Sequence, residues 1–265
     1  DSYLYPMNIK QHIPNFITIL NLVCGVFATL FFIQSLFTKG TGGFTGDSPT
    51  ELITIGVILI LIATVLDFLD GFAARLLKVQ SEIGAQLDSL ADMVTFGVAP
   101  GFLFFAFINT INVGFDSNLL NLSFILIPIF SAIRLAKFNI DTEQTDYFKG
   151  IATPANAIFW IGIFFLTEII KNSDVVSMNY FYYFLIFLVI IMSLLMTSNL
   201  RMFSLKFKNL KLEGDNIYRV ILILGAFVLT IIFGLFTNIM AAIPFIIIMY
   251  ILLSIGYHYN TRKTK

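Results

Sequence analysis

Sulfur, imidazole and charge are all scarce in this chain of 265 residues. Its one cysteine, Cys24, lies inside an apolar run, which excludes an intrachain disulfide framework and any thiolate metal cluster. The two histidines, His12 and His258, stand at opposite ends of the sequence and read as interfacial residues rather than ligands. Charged residues make up only 12% of the chain, and sixteen basic side chains balance sixteen acidic ones, in a few short blocks. No basic stripe marks a nucleic-acid footprint, so nucleic acid is not an expected partner. Internal repeats, low-complexity tracts and room for a large soluble domain are lacking too. The first sixteen residues show neither the basic flank nor the A-x-A-like cleavage site of a signal peptide, so the first apolar run is expected to remain as a span.

What the chain has in abundance is apolar surface: 58% of its residues are hydrophobic, with a mean hydropathy of +0.89. Crossing the hydrocarbon core takes about 20 apolar residues wound into a helix, because only an internally bonded backbone is stable there. Eight segments qualify: Asn15 to Phe37, Leu52 to Arg75, Gly84 to Ile108, Leu119 to Phe138, Ala155 to Ile170, Tyr180 to Met196, Ile217 to Phe236 and Met240 to Tyr257. They predict an all-α, polytopic transmembrane helix bundle surrounded by membrane lipids. Pro154 is expected to start the fifth span, and Pro100 with Gly101 to bend the third.

Basic residues orient the bundle, since cytoplasmic loops are enriched in them. With the N-terminus inside, fourteen of the sixteen Lys and Arg fall on the cytoplasmic side, and only Lys39 and Lys171 fall outside. Both termini are therefore expected in the cytoplasm. The segment Thr38 to Thr50 reads as an external loop, and Lys206 to Lys211 as a basic cytoplasmic one. Trp160 and the tyrosines Tyr180, Tyr182 and Tyr183 are expected in interfacial belts.

Four aspartates carry the chemistry, because a carboxylate at a span end is costly to place. Asp67 and Asp70 are spaced i, i+3 near the end of the second span, and Asp88 and Asp92 i, i+4 near the start of the third, so each pair shares a helical face. The short connection makes these spans antiparallel neighbours, and the four carboxylates converge at one depth. Taken singly, each aspartate reads equally as a helix cap or an ion-pair partner of Arg75. Together, like charges need cations to neutralise them, and an all-oxygen ligand set selects a hard ion: Mg²⁺ by default, with Mn²⁺ or Ca²⁺ open. Gly71, Ala73, Ala74 and Gly84 let a helix or a ligand approach closely, and the guanidinium of Arg75 matches phosphate oxygens. Two function classes follow: an enzyme acting on a metal-bound diphosphate at the membrane surface, or a cation transporter. A transporter would place its carboxylates near the bilayer midplane on broken helices, whereas these gather at one face.

The run Asp67-Phe-Leu-Asp70-Gly71-Phe-Ala-Ala74-Arg75, followed by Gly84-Ala-Gln-Leu-Asp88-Ser-Leu-Ala-Asp92, matches D-x-x-D-G-x-x-A-R, eight residues, G-x-x-x-D-x-x-x-D. This signature resembles that of the CDP-alcohol phosphatidyltransferase family. The stretches IPNFITILNLVCG, SEIGAQLDSLADMVTFGVAP, IRLAKFNIDT and YFKGIATPANA look like the bacterial and archaeal branch of that family that uses serine. The resemblance runs from about Ile13 to Ala157. It implies a core of about six spans over 1–200, a basic cytoplasmic loop over 201–215 and two additional spans with a short basic tail over 216–265. It also implies transfer of a phosphatidyl group from CDP-diacylglycerol to an alcohol with release of CMP, at the cytoplasmic membrane of a prokaryote. The acceptor would be L-serine, with choline, glycerol 3-phosphate and inositol phosphate as alternatives and a homodimer left open.

By the same resemblance, Asp67, Asp70 and Asp88 hold one divalent ion, Asp67, Asp88 and Asp92 a second, and Asp92 is the general base. Asn15, Thr18, Gly71, Ala74, Arg75, Ser81 and Gly84 would bind the CDP-diacylglycerol; a helix cap is the competing reading of Asn15. Arg134 and Asn139 are the candidates for the serine carboxylate, against ordinary positive-inside anchoring by Arg134.

Overall fold

Eight helices long and apolar enough to cross a membrane run through the computed structural model. It describes residues 9–38, 48–79, 81–111, 118–141, 147–171, 177–205 and 214–263. The expected spans are met in number and order, and the chain is an integral membrane protein. The basic run Lys206 to Lys211 and most of the loop after Thr38 lie outside the described residues. By its contacts the chain divides into two compact units, Asp1–Ala106 and Phe107–Lys265.

In the first unit, α1 (Ile9–Phe37) packs along α2 (Pro49–Leu77), and both meet the third span. That span comprises α3 (Glu82–Asp92), a π-helical segment Met93–Val98 and the start of α4 (Ala99–Ile108). The second helix starts three residues before its apolar run because Ser48 builds a capping box: its hydroxyl accepts from Glu51 N–H while Glu51 Oε2 accepts from Ser48 N–H at 2.7 Å. Pro49 fills the first helical position, where a missing N–H costs nothing. The first helix begins upstream of Pro14, so Asn15 lies inside it and is not its cap. In the third span a π segment precedes Pro100, and Ala99 N–H bonds the Val94 carbonyl five residues back. Widening the ladder there absorbs the proline's missing donor. It also aims Thr95 at α1, where its hydroxyl donates to the Asn21 carbonyl at 3.2 Å. Gly25 permits this approach, since a Cβ there would fall 2.3 Å from Thr95 Oγ1.

The second unit takes in the fourth span, α5 (Asn118–Asn121), a 3₁₀ turn and α6 (Leu126–Ile140), followed by β1 (Tyr147–Lys149), α7 (Thr153–Lys171), α8 (Met178–Met196) and β2 (Arg201–Phe203). It ends with α9 (Asp215–Phe236), a second 3₁₀ turn and α10 (Ile243–Lys263). Helix α7 is its centre: 56% of its most apolar stretch is buried, against 11% for α9, whose remaining apolar surface is left to lipid. Pro154 stands in the first turn of α7, as expected. Trp160 corrects an expectation, because it is fully buried at mid-helix against the edge of Phe159 and belongs to no interfacial belt. Tyr182 is buried as well, its hydroxyl donating to Asn121 Oδ1 at 2.8 Å, while Tyr180 and Tyr183 remain exposed near the start of α8. A small residue count near an interface does not tell a belt aromatic from a core one; the facing polar group decides.

Candidate active site

Helices α2 and α3 form the hairpin on which the signature lies. Lys78 ends α2 in the left-handed conformation (φ 54°), its N–H bonding back to the last turn, and Ser81 starts α3 as N-cap, its hydroxyl accepting from Gly84 N–H at 3.0 Å. The tight reversal brings together residues spaced along the sequence. Carboxylate oxygens of Asp67, Asp70 and Asp88 all lie within 4.8 Å of one another. Asp92 joins them through a side-chain contact with Asp67. Asp70 is almost fully buried, and Thr18 of α1 donates to its Oδ2 at 2.6 Å.

Among the described residues, no lysine or arginine forms an ion pair with Asp67, Asp70 or Asp88. Asp88 Oδ1 is buried without a hydrogen-bond partner among those residues. A buried carboxylate oxygen lacking both donor and counter-ion is strongly unfavourable. Three carboxylates at this spacing, one of them with an unsatisfied buried oxygen, therefore fit a hard divalent cation. The ion-pair reading with Arg75 is set aside by the same geometry, for Arg75 is exposed and turned to the cavity beside the cluster.

That cavity has a volume of about 650 Å³ and is walled by α1, α2 and α3. All seven residues expected to hold the donor line it: Asn15, Thr18, Gly71, Ala74, Arg75, Ser81 and Gly84. Asp70 and Asp88 line it too, so the metal-fitting cluster opens on this space. At position 84 a Cβ would come 2.8 Å from Asn15 Oδ1 and 2.9 Å from Ser81 Oγ, so glycine lets both side chains keep their places. At Gly71, by contrast, a Cβ would meet only Arg75 Nη1, at 3.9 Å; the space it would fill belongs to the cavity. The cap residue Ser81 and the positive end of the α3 dipole both look into a chamber suited to a diphosphate. Sequence reasoning missed Pro14, Val79, Glu82 and Ala85, which also line it. They occupy unspecified positions of the motif or lie outside it, and only the helical phase would have found them.

In the second unit, Arg134 is buried, its guanidinium 5.0 Å from the centroid of Phe138. It lines a separate cavity of about 490 Å³ together with Lys137, Lys149, Asp141 and the segment Thr197, Ser198, Asn199. Lys149 pairs with Asp141 at 2.8 Å, and Lys137 Nζ donates to the Thr197 carbonyl at 3.2 Å. Asn139 is exposed and does not line this cavity, though its neighbours Phe138 and Ile140 do. Two of the cations, Lys137 and Lys149, thus join Arg134 where the resemblance had singled out Arg134 and Asn139.

Known proteins were compared with the chain. A family model described as CDP-alcohol phosphatidyltransferase matches residues 11–232, reaching past the stretch Ile13 to Ala157 and through most of α9. The chain is 34% identical to the CDP-diacylglycerol–serine O-phosphatidyltransferase of Helicobacter pylori over 180 residues, 66% of this chain and 71% of that protein. It is 36% identical to the protein of the same name from Bacillus subtilis over 144 residues, 54% of this chain and 70% of the other. With the namesake from Methanocaldococcus jannaschii it shares 32% identity over 150 residues, 57% of this chain and 59% of that one. A family match over most of the length, with the signature residues folded round one cavity, leaves a single placement: the chain belongs to the CDP-alcohol phosphatidyltransferase family.

Proposed function

We propose that the chain transfers the phosphatidyl group of CDP-diacylglycerol to the hydroxyl of L-serine, giving phosphatidylserine and CMP. The observation that carries the donor half is the continuity of the α1–α2–α3 cavity with the carboxylate cluster, through Asp70 and Asp88. The aspartates would hold two divalent cations, Mg²⁺ or Mn²⁺: Asp67, Asp70 and Asp88 one, Asp67, Asp88 and Asp92 the other. When bound, such ions supply charge neutralisation for the phosphoryl oxygens and the departing CMP phosphate. The chain's own residues orient and move the proton. Arg75 grips donor phosphate, Asn15 and Ser81 border it, and Gly71 and Ala74 leave it room. The Asp92 carboxylate takes the proton from the serine hydroxyl as its oxygen bonds to phosphorus and the bond from phosphorus to the CMP oxygen breaks.

The acceptor half rests on what the relatives are named for, together with the basic cavity of the second unit. Serine differs from choline and simple alcohols by a carboxylate, and a buried arginine flanked by two lysines suits one. With CDP-diacylglycerol and a panel of alcohols, CMP release by purified protein is expected with serine and not with choline, glycerol 3-phosphate or inositol phosphate. Arg134→Ala should raise the serine KM with little change in the KM for the lipid, as when a contact common to ground and transition states is lost. Efficient use of an alcohol lacking a carboxylate, with serine inert, would reject the serine assignment. An unchanged serine KM would reject Arg134 alone.

The Lys and Arg bias supports a cytoplasmic location for both termini and the active site. A cysteine substituted at Lys39, in a Cys24→Ala background, should react with an impermeant maleimide on intact cells, and one at Lys206 only after lysis. The reverse pattern would invert the topology.

A further inference from the structure

Two strands of three residues cannot hold each other in place. The paired Lys149 and Arg201 are 52 positions apart, and so short a ladder returns few bonds for the chain entropy it costs. The bonds that fix β2 come from the two C-terminal helices. The Tyr250 hydroxyl donates to the Phe203 carbonyl at 3.0 Å, Arg201 N–H donates to His258 Nδ1 at 3.2 Å, and Arg219 Nε donates to the Ser204 carbonyl at 2.7 Å. Arg219 is itself buried and held by Asn216 Oδ1. The Phe203 ring, with no exposed surface, sits among Tyr218, Tyr250 and Tyr257 at centroid distances of 5.9, 5.0 and 6.0 Å.

What β2 holds in turn is a wall of the basic cavity. Thr197, Ser198 and Asn199 immediately precede it, and its antiparallel partner β1 ends on Lys149. Gly150 locks the two together: its N–H donates to the Leu200 carbonyl at 2.9 Å, and at φ +70° a Cβ there would fall 2.4 Å from the Met196 carbonyl oxygen. The wall is thus continuous from α10 through β2 and β1 to the lysine.

We infer that α9 and α10 form a clamp that sets the position of Lys149 and of residues 197–199 against Arg134, so that the acceptor meets a preformed anion site. Tyr250, His258 and Arg219 are positioning residues; none of them lines the cavity. The inference rests on the reading of this cavity as the seat of the acceptor's carboxylate. It gives the last two spans a task in selecting substrate, beyond anchoring the chain in lipid.

The test uses full-length protein in lipid nanodiscs, carrying Tyr250→Phe together with His258→Leu. Arg219 stays intact, because losing a buried guanidinium risks the fold. Amide exchange over residues 201–204 should quicken, and the serine KM should rise by about fivefold or more, the scale of one or two hydrogen bonds. The KM for CDP-diacylglycerol and the thermal midpoint should hold. Tyr250 restored beside His258→Gln, whose amide oxygen can accept from Arg201 N–H, should bring both readings back toward wild type. Unchanged exchange overturns the clamp, and faster exchange with an unchanged serine KM overturns its link to the acceptor. A parallel loss of both KM values, turnover and thermal midpoint overturns it in favour of a general structural role. Should the wild type ignore serine altogether, the proposed function fails instead, and the exchange measurement still reads the clamp.

Discussion

Asp88→Asn is expected to lower turnover by roughly 10³-fold or more, equivalent to about 4 kcal/mol of lost transition-state stabilisation. The same substitution should leave the thermal midpoint of the metal-free protein unchanged or raised. The two effects have opposite signs for one reason. Asp67, Asp70 and Asp88 crowd their oxygens within 4.8 Å without a basic partner among the described residues, and each like-charged pair at that distance repels by a few kcal/mol. Asn keeps the shape and removes one charge, which relieves the repulsion in the metal-free site while removing a ligand proposed to serve both ions. Wild-type protein should gain thermal stability on addition of Mg²⁺ or Mn²⁺, by about 2.7 kcal/mol at a hundred times the dissociation constant, and lose the gain in chelator. The variant should show little or none of that gain. Normal turnover of Asp88→Asn at saturating metal would sink the assignment of these carboxylates to a metal centre. So would a metal-induced stabilisation equal to the wild type's.

The site was legible where chemistry demands both residue type and spacing. Carboxylates at i, i+3 and i, i+4 on neighbouring spans specify a shared face, and Gly84 specifies a close approach that the contact with Asn15 and Ser81 bears out. What could not be read depends on partners distant in sequence. Thr18 and Asp70 are 52 residues apart, and nothing local to either announces their hydrogen bond. The π segment after Asp92 follows from Pro100 together with the seat of Thr95 over Gly25, a tertiary condition. Span ends moved outward for the opposite reason: hydropathy marks only the lipid-buried length, whereas Ser48, Pro49 and Glu51 extend α2 into water by capping it. The strands Tyr147–Lys149 and Arg201–Phe203 carry no period of their own at three residues each; the aromatic cage round Phe203 makes them. Trp160 and Tyr182 were misplaced because an aromatic's position along a span says nothing about whether its side of the helix faces lipid or a neighbour.

Asp92→Asn should slow the chemical step by about 10² to 10⁴-fold while CDP-diacylglycerol binds almost as before. Asp92, like Asp67, does not line the donor cavity, and its side chain touches that of Asp67, so it belongs to the cluster rather than to the nucleotide's space. That position suits a group that meets the acceptor's proton rather than the nucleotide. The amide cannot accept the proton with any useful basicity, and the residual reaction must draw on solvent hydroxide. Its rate should therefore climb about tenfold per pH unit over a range in which the wild-type rate is flat. Single-turnover CMP release across pH, with metal occupancy measured on the same samples, separates this role from simple ligation. If metal loss alone accounts for the deficit, raising the metal concentration restores the rate and its pH profile, and Asp92 is then a ligand only. If donor affinity collapses while the single-turnover rate stands, Asp92 shapes the donor site and the proton leaves by another route.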